Sequence, residues 1–133
     1  MLQLINTNTV ALTAGDALPA GVDFNTNPNM LGYDTGTSEI IFLQLGIYKV
    51  IAQAVFAATA AGLNTIEGFA GTAAVPGMVS QFETTAATQE ATYVLQKNVR
   101  VTTAFPGAFA RLKFTVDVDG VQSNLLITVE KIR

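Results

Sequence analysis

The stretch Leu45 to Ala57, LGIYKVIAQAVFA, constrains the fold more than any other, because Lys49 is its one charge and Gln53 its one amide. With a period of two, Tyr48, Val50, Ala52, Ala54 and Phe56 point one way and are all apolar. Ile47, Lys49, Ile51, Gln53 and Val55 point the other way and are mixed. Wound as a helix, the same run would gather Lys49 and Gln53 into one polar stripe, with Gly62 as a C-terminal stop. Residue type decides for the strand. Ile47, Tyr48, Val50, Ile51, Val55 and Phe56 are β-branched or aromatic, stiff at χ1 and suited to a pleated surface. A strand whose outer face is also partly apolar needs cover, and in a chain of 133 residues that cover is expected to be another copy of itself.

That length makes one domain, residues 1–133, able to bury roughly two thirds of the surface its unfolded chain exposes. Cysteine and histidine are both absent, which removes disulfides, thiolate or imidazole metal sites and any dyad or triad with an imidazole base. Charged residues make up 13% of the chain, against about 25% in ordinary domains, so much of the surface is neutral. With 50% hydrophobic residues, such a surface suits burial between subunits. A net charge of −3 and the lack of an aromatic-basic cluster argue against a nucleic-acid partner. The first residues, Met1 to Asn6, lack the basic and apolar regions of a secretory signal. The uncharged run Val50 to Ile66 is shorter than the roughly 20 residues a membrane span needs and holds Gln53, Thr59, Gly62 and Asn64.

Along the chain, Leu2 to Ala14 reads as a first strand at an edge, or as an N-terminal arm within residues 1–16, closed by Gly15-Asp16. Pro19 and Gly21 keep any strand between Ala17 and Phe24 short and peripheral. Asn25 to Ser38 reads as a long loop. Strands are expected at Glu39 to Leu43, Gly46 to Ala57, Leu63 to Phe69, Met78 to Glu83, Ala91 to Thr103, Arg111 to Asp119 and Leu125 to Arg133. Lys97 interrupts the apolar face of Tyr93, Leu95, Val99 and Val101, and is expected to mark where that strand leaves the core. Asp119-Gly120 between Val118 and Val121 reads as a hairpin turn with positive φ at both central residues. Short strands separated by frequent turn signals, with no convincing helix, give an all-β antiparallel two-sheet sandwich of about eight to ten strands.

Chemistry-bearing patterns are sparse. Asp34-Thr35-Gly36-Thr37 matches the Asp-Thr-Gly-Thr string of aspartic proteases, but its lead, Asn29 to Tyr33, lies in an Asn-rich loop rather than an apolar strand, which favours a surface turn. Asp117 and Asp119 could share a hard cation, yet two carboxylates are too few, so no metal site is assigned. Ser38, Ser80 and Ser123 have no base to activate them, and neither a catalytic residue nor a cofactor is expected. Arg100, Arg111 and Lys113 form a basic group in the C-terminal half. The charges of the first 48 residues, Asp16, Asp23, Asp34 and Glu39, are all acidic, and the separation could steer subunit docking. Asn25, Asn27 and Tyr33 form a candidate ligand loop for a host-surface glycan, though turn formation explains the same residues.

The order of motifs resembles the tumour necrosis factor-like and complement globular-head-like jelly rolls. These motifs are Asp23-Phe24-Asn25-Thr26, then Leu45-Gly46-Ile47-Tyr48-Lys49-Val50, then Val75-Pro76-Gly77, then Leu126 to Ile132, LITVEKI. Within that group the bacterial branch is nearest, the heads of collagen-like spore-surface glycoproteins and of phage virion proteins. The resemblance implies a two-sheet jelly roll forming a tight homotrimer around one sheet. No Gly-X-Y stalk precedes the head, which favours a phage protein over a bacterial spore-surface one. The resulting expectation is a non-enzymatic trimeric structural protein of a bacteriophage virion, made in the host bacterial cytoplasm, as a capsid decoration protein or a head or tail fibre knob. Its partners would be its own copies and capsid proteins, with Ile47, Ile51, Val55, Leu125 and Ile127 at the trimer interface. The alternative is a carbohydrate- or receptor-binding adhesion module.

Overall fold

The computed structural model describes residues 1–107 and 110–133. Its strands are β1 (Leu2–Asn6), β2 (Val10–Leu12), β3 (Gly21–Asn25), β4 (Leu31–Asp34), β5 (Glu39–Phe42), β6 (Gly46–Ala58), β7 (Gly62–Ala70), β8 (Ala73–Thr84), β9 (Glu90–Val101), β10 (Arg111–Val116) and β11 (Gly120–Lys131). They form two antiparallel sheets. The first runs β3-β1-β11-β6-β9, with β2 paired to the start of β11, and the second runs β4-β5-β10-β7-β8. This is the expected two-sheet jelly roll.

β6 pairs along its length with β11 on one side and β9 on the other, and its alternation sets the register of both. Tyr48, Val50, Ala52, Ala54 and Phe56 are buried between the sheets, facing Leu112, Phe114 and Val116 of β10 in one continuous core. Tyr48 lies 4.8 Å from Phe42, ring to ring, and Phe56 lies 6.3 Å from Tyr93. Burying side chains of this size stabilises the sandwich by about 1.5–3 kcal/mol each.

Several expectations need correction. Leu125 and Ile127 are not at an interface. Opposite Ala54 and Ala52 on β6, they point into the protomer's own core and are 0% and 2% exposed. The reason is period-two alternation itself, since Leu125, Ile127 and Val129 form the continuous apolar set and antiparallel pairing buries such a set against the facing sheet. Asp119-Gly120 is not a hairpin turn. β10 and β11 lie in different sheets, so the chain crosses the sandwich there, and Gly120 opens β11 opposite Ala58. β1 is not an edge strand but sits between β3 and β11. The Asn25 to Ser38 loop holds β4, hairpinned to β5.

Lys97 does not end β9. The strand runs on to Val101, whose side chain returns to the core, while the Lys97 ammonium donates across the open side of the sandwich to the Pro76 carbonyl on β8. β8 can reach that far because it carries an excursion: Glu67 pairs with Val79 but Phe69 pairs with Ala74. The extra residues, Val75 to Met78, fold Met78 inward over Gly68, where a Cβ would stand 2.5 Å from the Met78 Sδ. Gly68 is there for close approach.

Burial raises the pKa of Tyr33, Tyr48 and Tyr93 above the ordinary 10.0. The folded chain therefore holds these phenolic protons more tightly than the unfolded chain. The sign follows: their contribution is whole below pH 10.0 and is lost as pH rises past that value into the raised range. Denaturant midpoints are expected to stay flat with respect to these groups through neutral pH and to fall above pH 10.0, with phenolate absorbance appearing as the protein unfolds. Ordinary phenolate titration in the intact fold would contradict this.

Candidate self-association face

The outward side of the six-stranded sheet is built in rows across the strands. Ile5 of β1 faces Leu126 of β11, which faces Gln53 of β6, which faces Val94 of β9. In the next row toward the start of β6, Phe24 and Gln3 lead through Thr128 to Ile51 and Gln96. In the row on the other side, Asn124, Val55 and Thr92 stand abreast. None of these residues is charged. Ionised groups return at the margins: toward the start of β6, where Glu130 faces Lys49 and Arg100 faces Ile47, at its end, where Glu90 faces Ala57, and at β3, where the Asp23 carboxylate accepts from the Gln3 amide at 2.9 Å. Leu126, Val94 and Phe24 are 36–47% exposed, large apolar side chains held in water by strands that cannot turn over without exposing the core.

The outward side of the other sheet is different. Leu63, Phe69 and Val79 occur there, but Lys113 faces Phe69, Glu67 faces Val79, Glu83 faces Leu63 and Arg111 faces Ile41. Arg111 also pairs with Glu39 at 3.4 Å, which is the one ion pair among the described residues. Ordinary solvation suits that face, whereas the neutral face suits cover by protein. Sequence reasoning found Ile47, Ile51 and Val55, which remain half-buried on the outward side of β6. It missed Ile5, Phe24, Val94 and Leu126, each a lone apolar residue on a polar face until strand order lines them up.

The remaining candidates are tied into local structure. Asp34 Oδ1 accepts the Gly36 amide at 2.9 Å, which makes the Asp-Thr-Gly-Thr string an Asx turn joining β4 to β5. Asp117 accepts the Thr65 amide and Asp119 the Ala14 amide, each at 2.8 Å, so the two carboxylates engage different loops. Asn25 donates to the Leu31 carbonyl at 2.8 Å and accepts from the Asn27 amide at 3.0 Å. The Tyr33 hydroxyl accepts from the Ala20 amide at 3.1 Å. The polar groups of Asn25 and Tyr33 thus shape the loop that carries them.

No protein-family model and no curated protein matches this sequence. Solved structures do. The Eiger TNF of S. frugiperda superposes with a TM-score of 0.74 at 9% identity, over 99% of this chain and 91% of that one. The fold is tumour necrosis factor-like. The globular domain of zebrafish complement 1qA protein gives a TM-score of 0.65 at 6% identity, covering 99% of this chain and 96% of its own. The PRD1 vertex protein P5 gives 0.62 at 18% identity with the same two coverages, 99% and 96%. At these identities the likeness fixes the jelly roll and leaves function to the surfaces.

Proposed function

We infer that the chain is a non-enzymatic, self-assembling structural protein of a bacteriophage particle, working as a homotrimer in the role of a capsid decoration protein or fibre knob. The observation that carries this reading is the neutral face of β3-β1-β11-β6-β9, whose rows of Ile5, Leu126, Ile51, Val55 and Val94 hold no charge while the opposite face does. Apolar residues interleaved with Gln and Thr describe a surface that is stable in water during synthesis and dry in an assembly. The likeness to the PRD1 vertex protein P5 favours the virion branch of the fold. Among the described residues no helix is long and apolar enough to cross a membrane.

Light scattering coupled to size exclusion tests the assembly. A mass of three times 14.0 kDa that persists on dilution is expected, and a stable monomer would overturn the reading. The particle is tested separately, by mass spectrometry of purified, nuclease-treated virions from the lysing host. The chain is expected there in fixed proportion to the major capsid protein; its absence from particles, with the trimer intact, would remove the virion role alone.

A further inference from the structure

The outward side of the second sheet carries a trough that the neutral face does not use. Lys113 and Thr115 of β10 form its floor, Phe69 of β7 with the Gly71-Thr72 turn forms one wall and Gly15 forms the other, around a space of about 310 Å³. Alternation places it there. Leu112, Phe114 and Val116 are buried between the sheets, so Lys113 and Thr115 stand outward, and the register sets Phe69 across from Lys113 and Glu67 across from Thr115. On the other side of β10, β5 pairs only with Arg111 and Leu112. The segment from Gly15 to Leu18 then takes over, with Gly15 donating to the Val116 carbonyl and Leu18 to the Phe114 carbonyl, each at 2.8 Å. Nothing lies within 4 Å of where a Cβ on Gly15 would stand, so that wall is low and the floor stays open.

The floor holds one cation with no charged partner. Arg111, the other base on this face, pairs with Glu39 at 3.4 Å and lies over the Phe105 ring at 4.8 Å from its centroid. Asp16, next to Gly15, accepts the Thr13 amide, and Asp117 accepts the Thr65 amide. Lys113 makes no ion pair among the described residues, Glu67 included. An ammonium has donors and no acceptor, so its strongest partner is an acceptor-only carboxylate rather than a hydroxyl. Glu67 repels such a group at the Thr115 end and leaves it the Lys113 end. Beside Lys113, the half-buried Phe69 ring offers an electron-rich apolar surface, against which polarised C–H bonds pack. Thr72 and Thr115 add hydroxyls that both donate and accept. A single cation is too little for a nucleic acid or another dense polyanion.

We propose that this trough binds a sugar of the uronic acid class, a pyranose bearing a carboxylate. The carboxylate sits at Lys113, a C–H face of the ring lies on Phe69, and ring hydroxyls meet Thr72 and Thr115. The volume is at the small end of ligand sites and suits one ring. Selectivity follows from the donor set: a neutral sugar leaves the Lys113 charge unmatched, and a carboxylate without a ring leaves Phe69 unused. The trough lies within one protomer, on the sheet opposite the neutral face, so it stands or falls apart from the trimer and from the virion role.

Titration of methyl glucuronide and of methyl glucoside, followed by saturation-transfer NMR, tests the site. Saturable binding of the glucuronide is expected, about tenfold tighter than the glucoside, the size of one charge-assisted hydrogen bond. Lys113→Gln should abolish that preference, leaving the glucuronide as weak as the glucoside. Phe69→Leu should weaken both sugars roughly threefold or more and keep the preference. Both side chains lie outside the core, and circular dichroism confirms the fold of each variant. Should Phe69→Leu fail that check, Lys113→Gln alone decides. Absence of glucuronide binding, equal affinity for the two sugars in the native protein, or glucuronide affinity untouched by Lys113→Gln would overturn the proposal. So would displacement of the glucuronide by acetate at equal concentration, which would reduce the site to a simple anion contact.

Discussion

Replacing Ile51 by aspartate is expected to convert the proposed trimer to monomers while leaving each protomer folded. Ile51 lies mid-row on the neutral face, between Thr128 and Gln96, with its side chain outside the core. In the free protomer the new carboxylate would meet water and cost little. In the assembly it would be desolvated with no cation in its own row, the nearest being Lys49 in the next row, which already faces Glu130, so a penalty of several kcal/mol per buried ion is expected, incurred once per subunit. Lys113→Gln, on the ionised outward face of the other sheet, is the matched control and is expected to leave the mass unchanged. Light scattering reads the mass and far-ultraviolet circular dichroism the fold. Ile51→Asp at the full trimer mass would move the interface elsewhere. Unfolding of the variant would show that the protomer depends on the assembly, and Ile51→Thr, which keeps the β-branch without adding charge, would then give the graded readout.

How much of this was legible in the sequence depends on the range of the interaction. The β6 and β10 segments were readable residue by residue, because alternation is a local signal and both strands are buried on one side. Ile51 and Val55 were readable as an apolar outward stripe because the outward side of β6 is more apolar than solvent requires. Leu126 was not, being a single leucine between Asn124 and Thr128 until pairing with β1 and β6 sets it between Ile5 and Gln53. Asp119-Gly120 misled for a related reason. The dipeptide fits a tight turn, but the sheet that the next strand joins is decided by long-range pairing of β11 with β1 and β6, which no local pattern records. Lys97 was legible as an anomaly on an apolar face, and only the approach of Pro76 from the other sheet gives it a partner.

Gly120→Ala is expected to cost the protomer heavily for one added carbon. A Cβ at Gly120 would lie 2.4 Å from Phe56 Cζ and 2.5 Å from the Ala57 carbonyl oxygen. The ring cannot swing clear, because Phe56 is 1% exposed and packs edge-on against Tyr93 at 6.3 Å. The carbonyl cannot move without opening the ladder in which Ala57 pairs with Val121 and Glu90. Overpacking a core in this way costs about 1–3 kcal/mol, and here a backbone atom is one of the obstacles, so the upper part of that range is expected. The denaturant midpoint should fall with an unchanged m-value. Phe56→Leu in the same chain separates the two obstacles: it frees the ring position but not the carbonyl, so the penalty for Gly120→Ala should shrink without vanishing. Full rescue would assign the whole clash to the ring. A neutral Gly120→Ala would mean that β11 starts farther from β6 than the Gly120 to Ala58 register requires, and would return that crossing to ordinary turn chemistry.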